Sequence, residues 1–161
     1  MEQIIKAVIQ RVKNASATVD GAVVGAISRG LLVYLGVAGD DSEKDADWLA
    51  EKVAYLRIFQ DTQGKMNLSL LDIAQEGTSM GENPIGVLAI SQFTLLADAR
   101  KGRRPFYGAA AEPEKANALY EYFMAKIREQ GLVCQAGVFQ ASMDVCYTNQ
   151  GPVTILLDSK E

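Results

Sequence analysis

The apolar and polar positions of this 161-residue chain lay out most of its secondary structure. Residues 4–12 (IIKAVIQRV) are apolar with interruptions at Lys6 and Gln10-Arg11, and read as a strand. Ala17-Thr18-Val19 and Ala22-Val23-Val24 flank Asp20-Gly21, a pair that accepts the positive φ angles of a type I′ turn and so predicts a hairpin. Gly30 precedes Leu31 to Val37, an almost unbroken apolar run suited to a strand covered on both faces. Ile85 to Ile90 is a second such strand, and it runs straight into Ser91-Gln92-Phe93-Thr94. Val133 to Phe139 and Met143 to Tyr147 are further strands, and a turn at Asn149-Gln150-Gly151-Pro152 leads to a last one, Val153 to Leu157.

Two segments carry the helical period instead. Asp41 or Ser42 caps the first, with Ser42 and Asp45 spaced as a capping box, and Ala46, Leu49, Val53 and Leu56 form its apolar stripe. Pro113 opens the second, Ala116, Leu119, Tyr120, Phe123 and Ile127 supply its buried face, and Gly131 stops it. Asp61 to Gly64 is a turn, and residues 74–84 (AQEGTSMGENP), polar, glycine-rich and closed by Pro84, are an exposed loop. Seven or eight strands with two inserted helices, not alternating regularly, predict an α+β fold with a mainly antiparallel sheet. With no repeat, low-complexity tract or linker, residues 1–161 are expected to form one domain.

Composition narrows the class. Hydrophobic residues at 48% and charged residues at 22% exclude a disordered chain. No apolar run approaches the roughly 20 residues of a membrane helix. The opening Met1-Glu2-Gln3-Ile4-Ile5-Lys6 has an acidic residue and no long apolar core, so a signal peptide is not expected and the cytoplasm is the expected compartment. The net charge of −4 is unlike a protein that grips a long nucleic-acid backbone. It permits a short terminus held by a local basic patch, and Arg100, Lys101, Arg103 and Arg104 form one, read either as a solvated loop or as a phosphate clamp.

The chain contains no histidine, which removes the usual means of activating a hydroxyl, a thiol or a water. Cys134 and Cys146, without CxxC spacing and in strand-like stretches, are expected to be buried reduced thiols. A zinc site built from two cysteines and carboxylates is not expected. Ser91, Gln92, Phe93 and Thr94 stand where a strand breaks, a place for backbone N–H groups and the Gln92 amide to act as oxyanion donors. Read plainly, they are hydroxyls bonded to backbone and a core aromatic. Gly151-Pro152 is either a simple turn or a cis peptide whose two carbonyls face one way and form an acceptor wall.

These segments resemble the two signature motifs of the D-aminoacyl-tRNA deacylases. The resemblance spans nearly the whole chain and includes Ile9 to Val12, Arg57-Ile58-Phe59, Gly64 to Asn67, Ser91 to Leu95, Arg100-Lys101-Gly102 with Arg104-Pro105, and Asn149 to Thr154. It implies a small barrel-like α+β domain that acts as a homodimer on the 3′ end of D-aminoacyl-tRNA, without metal or organic cofactor, membrane or DNA. On that resemblance Gly151 and Pro152 form a cis pair lent to the neighbouring subunit, where it excludes L-amino acids. Phe93 offers its backbone N–H to the scissile carbonyl. Arg11 steadies the Pro bond, Phe139 and Met143 lie near the terminal adenosine and the amino acid, and the substrate's own 2′-hydroxyl assists the attacking water.

Several positions depart from the family pattern. Phe106-Tyr107 follow Pro105 where relatives commonly carry serine and phenylalanine, Gln150 replaces a frequent aspartate, and the 74–84 loop is long. A sibling family acting on mischarged L-alanine carries proline and alanine at the Ser91 and Phe93 positions; this chain has neither. The alternatives are a general esterase using Ser91 or Thr94, and a non-catalytic module that binds an RNA end.

Overall fold

The computed structural model describes residues 5–76 and 83–160. Its centre is the long strand β1 (Lys6–Val19). One edge of β1 pairs with β8 (Asp144–Asp158) along most of its length, and the other pairs with β3 (Gly30–Gly36) and then β2 (Ala22–Ile27). Asp20 and Gly21, at φ of 50° and 79°, make the predicted β1–β2 hairpin turn. Beyond β3 come β6 (Gly86–Ser91) and β7 (Val133–Ala136), each parallel to its neighbour, so the order is β2-β1-β3-β6-β7. The β1 pairs are antiparallel, as expected, and the other half of the sheet is parallel. Parallel neighbours need long crossovers, and α1 (Glu43–Tyr55) and α3 (Pro113–Glu129) supply them.

The sheet curls until β2 meets β7. A side chain at Gly25 of β2 would run into the Ala136 carbonyl of β7, so glycine is what lets the two ends approach. The result is a nearly closed barrel with α1 and α3 packed against each other and onto it. Leu31, Val33, Leu35, Val87 and Ala89 meet Leu49, Val53, Phe123 and Ile127 of the helices. Their neighbours Leu32, Leu88 and Ile90 point into the barrel beside Val12, Ala15 and Ile27. Burying each large apolar side chain contributes roughly 1.5–3 kcal/mol, and two covered faces explain why β3 and β6 read as unbroken apolar runs.

The Ser42–Asp45 capping box is present, and Pro113 is the first residue of α3. Several features differ from the sequence reading, among them the strand predicted over Val133 to Phe139, which ends at Ala136. A third helix, α2 (Leu70–Gln75), is started by a Ser69–Asp72 capping box and follows the small β4–β5 pair (Phe59–Gln60 and Met66–Leu68). Residues 77–82 of the expected 74–84 loop lie outside the described residues, and Ala74 and Gln75 belong to α2. The expected turn at Asn149 to Pro152 does not reverse the chain. Met143–Tyr147 and Val153–Leu157 belong to one continuous strand, apart from Met143 itself, and the turn residues are an outward bulge between them.

Candidate active site

Two structures are built from the two motifs. The first begins where β6 ends. Ser91 still pairs with Leu35 of β3, and the Gln92 N–H reaches the Leu35 carbonyl at 2.8 Å. The chain then turns into a short 3-10 helix, Phe93–Leu96. Leu95 N–H is the first to find a carbonyl inside that turn, that of Gln92 at 3.2 Å. The N–H groups of Phe93 and Thr94 precede this first internal bond, where helical turns leave donors over. The Gln92 amide donates to the Thr94 hydroxyl, tying the turn together.

Ser91, Gln92 and Phe93 open onto a cavity of about 770 Å³ whose far wall holds Phe139, Gln140 and Met143. Phe139 leans on Tyr120 at 6.4 Å between ring centres. Tyr120 donates to the Ala89 carbonyl at 2.6 Å, and burial pushes its phenol up to about 12. Met143 is held by its sulfur, which accepts from the Val138 N–H at 3.3 Å. No Asp, Glu, Lys, Arg or Cys among the described residues lines the cavity, so its walls offer donors and shape and no ionisable proton acceptor. Among the described residues, no three Cys, Asp or Glu side chains gather as a metal site.

The second structure is the bulge in β8. Between the pairs Gln10–Thr154 and Val12–Asn149, one β1 residue, Arg11, faces four β8 residues. Arg11 is 6% exposed. Its Nε donates to the Gln150 carbonyl at 3.0 Å and its Nη1 to the Ile58 carbonyl at 2.7 Å. Burial, and secondarily Arg29, lower its pKa from the ordinary value, while both carbonyls hold the cation in place. Gly151 lies at φ 133°, a conformation other residues rarely adopt, with Arg11 Nη2 where a Cβ would stand. The Gly151–Pro152 bond is cis. Asn149 clamps the bulge, donating to the Thr154 hydroxyl at 3.0 Å and accepting from the Val153 N–H at 3.0 Å.

The profile of the D-Tyr-tRNA(Tyr) deacylase family matches residues 8–158. The chain belongs to that family. It is 57% identical to a D-aminoacyl-tRNA deacylase of Koribacter versatilis, over 98% of this chain and 99% of the relative. It is 53% identical to one of Thermus aquaticus, over 98% and 97%. A solved structure described as c-Myc DNA Unwinding Element Binding Protein superposes with a TM-score of 0.83 at 36% identity, covering 94% of this chain and 97% of that one. A second, of a probable eukaryotic D-amino acid tRNA deacylase, has a TM-score of 0.77 over 96% and 99%, and at 16% identity shares the fold. Membership in a deacylase family makes the protein a hydrolase.

Within one chain of this deacylase the two motifs line different clefts. Gly151 shares a smaller one, about 350 Å³, with Arg11, Arg29, Phe59 and Gln150, whereas Ser91, Gln92, Phe93, Phe139 and Met143 share the large cavity. Asn149, Thr154 and the Ile58 carbonyl shape the bulge, a role the sequence reading does not give them although all three lie in the segments it names. The polar residues Asn149 and Thr154 bracketing Gly-Pro were the available signal. The two cysteines part company. Cys134 is buried, its thiol pushed up to about 12 by burial, but Cys146 is exposed, because β8 has β1 on one edge only and turns part of its face to solvent. The basic segment Arg100 to Arg104 is exposed, with Arg100 paired to Asp98 at 2.6 Å. Among the described residues no helix is long and apolar enough to cross a membrane.

Proposed function

We propose that the protein hydrolyses the ester between a D-amino acid and the 3′-terminal ribose of tRNA, releasing free D-amino acid and tRNA. The observation that carries this reading is the large cavity at the end of β6, where the leftover backbone donor of Phe93 meets walls that, among the described residues, carry no ionisable side chain. Such a site suits an ester that is already labile and a substrate that brings its own assisting group. Phe93 N–H steadies the carbonyl oxygen as water adds. The neighbouring 2′-hydroxyl orients that water, and the 3′-oxygen leaves with a proton. Ser91, Gln92 and Thr94 position these groups, while Phe139 and Met143 flank the terminal adenosine and the amino acid.

Chiral selection is assigned to Gly151 and Pro152, steadied by Arg11. Because the bulge and the cavity are separate within one chain, the reading includes a homodimer in which each subunit's bulge completes the other's pocket. Its carbonyls meet the substrate's α-ammonium group and leave no room for an L side chain. Glycine, having no side chain to reject, is removed as well. The reaction needs no metal or organic cofactor, takes place in the cytoplasm where tRNA is charged, and concerns RNA rather than DNA because the assisting hydroxyl is the ribose's own.

The test is hydrolysis of D-tyrosyl-, L-tyrosyl- and glycyl-tRNA by the purified protein, with a matching D-tyrosyl-tRNA that ends in 2′-deoxyadenosine. The expected order is rapid loss of D-tyrosine and glycine, a stable L-ester, and a rate at least a hundredfold lower without the 2′-hydroxyl. Equal rates on the mirror-image substrates overturn the reading. Binding of mischarged tRNA with protection of its ester indicates a non-catalytic module instead.

A further inference from the structure

Between the 3-10 helix and α3 the chain makes a projecting loop that the assigned chemistry does not use. Its base is a two-bond bridge, Asp98 N–H to the Phe106 carbonyl at 2.7 Å and Phe106 N–H to the Asp98 carbonyl at 2.8 Å. Asp98 also holds Arg100, through Nε at 2.9 Å and Nη2 at 2.6 Å, which keeps its carboxyl down at about 2. Lys101, Arg103 and Arg104 make no ion pair among the described residues. Four cations against one carboxylate leave the loop strongly positive in a chain whose net charge is −4.

Aromatic rings join this loop to the cavity. Phe106 is 70% exposed and stands with Arg100 and Lys101 on the wall of a third cleft, about 560 Å³. A Cβ on Gly108 would run into its ring edge, so that glycine leaves the ring room beside the backbone. Next to it, Tyr107 meets the edge of Phe93 at 5.0 Å between centres, and Phe93 lines the cavity mouth. Exposed rings interleaved with cations are the chemistry that holds a single-stranded nucleic acid: bases stack on the rings and phosphates meet the cations.

We propose that the Asp98–Tyr107 loop is the docking track for the single-stranded RNA 3′ end, with Phe106 stacking a base upstream of the terminal nucleotide and Lys101, Arg103 and Arg104 holding the adjoining phosphates. This rests on the deacylase reading and names the part of the substrate, other than the amino acid and its ribose, that the protein grips.

The test uses uncharged RNA acceptor minihelices, one with a four-nucleotide single-stranded 3′ overhang and one blunt, in fluorescence anisotropy at several salt concentrations. Phe106→Ala is expected to weaken binding of the overhang roughly five- to hundredfold with its salt slope unchanged, and Phe106→Tyr to stay near wild type. Changing Arg103 and Arg104 together to Ala is expected to flatten the slope by about 1.4, since each single-strand phosphate contact contributes about 0.7. The blunt helix is expected to bind weakly to all of them. In turnover, Phe106→Ala is expected to raise KM for D-tyrosyl-tRNA, leaving kcat and the cleavage of D-tyrosyl-adenosine unchanged. Unaltered overhang binding by Phe106→Ala, or equal affinity for blunt and overhanging RNA, overturns the proposal. The binding results stand or fall without catalysis, so absent ester cleavage with the expected binding pattern sinks the deacylase reading and leaves the docking track standing.

Discussion

Removing the arginine beneath the β8 bulge is the sharpest test of how selectivity is held in place. Arg11→Met keeps most of the side chain's length and removes the guanidinium. The two carbonyls it serves, Ile58 at 2.7 Å and Gln150 at 3.0 Å, then face apolar atoms. A hydrogen bond to a charged group contributes roughly 1.5–3 kcal/mol, so the two together set a gross loss of about 3–6 kcal/mol. Part returns, because burial and Arg29 disfavour the cation, and a net loss of about 2–4 kcal/mol remains. For a chain of this length that lowers the melting temperature by about 5–15 °C. Asn149 still clamps its own side of the bulge, so the barrel is expected to survive while Gly151 and Pro152 loosen. Thermal unfolding by circular dichroism gives the stability. The ratio of D- to L-tyrosyl-tRNA hydrolysis, expected to fall at least tenfold, gives the selectivity. Arg11→Lys offers a point charge in place of a fork and recovers part of each. An Arg11→Met protein that melts within 2 °C of wild type and keeps its D-to-L ratio refutes the bracing role.

Two further outcomes follow from single side chains. Asp41 is 2% exposed with Oδ1 unpartnered, and burial raises its carboxyl from 3.8 to about 6 although Oδ2 accepts the Ala38 N–H at 2.6 Å. The native state therefore holds a proton that the unfolded chain gives up near 3.8, and stability from this residue is full below that value and lost as pH rises through 6. The shift, which already contains the opposing pull of Lys160, corresponds to about 3 kcal/mol at most, and solvent screening of the half-buried carboxyl reduces it. Asp41→Asn is thus expected to raise the melting temperature at pH 8 and leave it unchanged near pH 3.5, and parallel melting profiles for the two proteins across that range contradict the assignment. Thr94→Ala removes the hydroxyl that accepts from Gln92 and is expected to lower turnover roughly tenfold, the value of one positioning hydrogen bond. Intact-mass measurement during turnover is expected to show no acyl-enzyme in either protein, and an adduct trapped on Thr94 contradicts a positioning role.

What the sequence made legible tracks how local each determinant is. Leu31 to Val37 and Ile85 to Ile90 announce buried strands because both faces meet protein, helices on one side and barrel interior on the other. Ser42 with Asp45, and Pro113 with Gly131, bound helices through contacts a few residues apart. Helix α2 escaped because six residues make too short a stripe, although Ser69 and Asp72 carried its start. The bulge passed for a turn for a longer-range reason. Asn-Gln-Gly-Pro has the same local preferences in a reversal as in a bulge, and only β1 pairing on both sides of it decides. Cys146 was misplaced likewise, since exposure on β8 depends on which neighbours that strand lacks. Ser91, Gln92, Phe93, Phe139 and Met143 line one cavity, which Thr94 does not; Phe139 and Met143 entered the sequence reading only through the family resemblance. The resemblance implied Gly151 and Pro152 in the neighbouring subunit's site, and within one chain Gly151 lines a different cleft.

That separation and the missing base belong to one argument. A positioned general base supplies roughly 10²–10⁴ in rate, about 3–5 kcal/mol. A single preorganised oxyanion donor is worth about 3–4 kcal/mol, and good alignment of reacting groups up to about 7–11. On the proposed reading, the walls around Ser91 provide the second and third without the first. An ionisable side chain there would speed the cleavage of whichever stereoisomer entered. A pocket that contributes mainly alignment rewards only the substrate it holds in register. Its discrimination is then set by what fills the space beside the α-carbon, and on the proposed reading that is the Gly151 bulge, which Arg11 and Asn149 hold through hydrogen bonds.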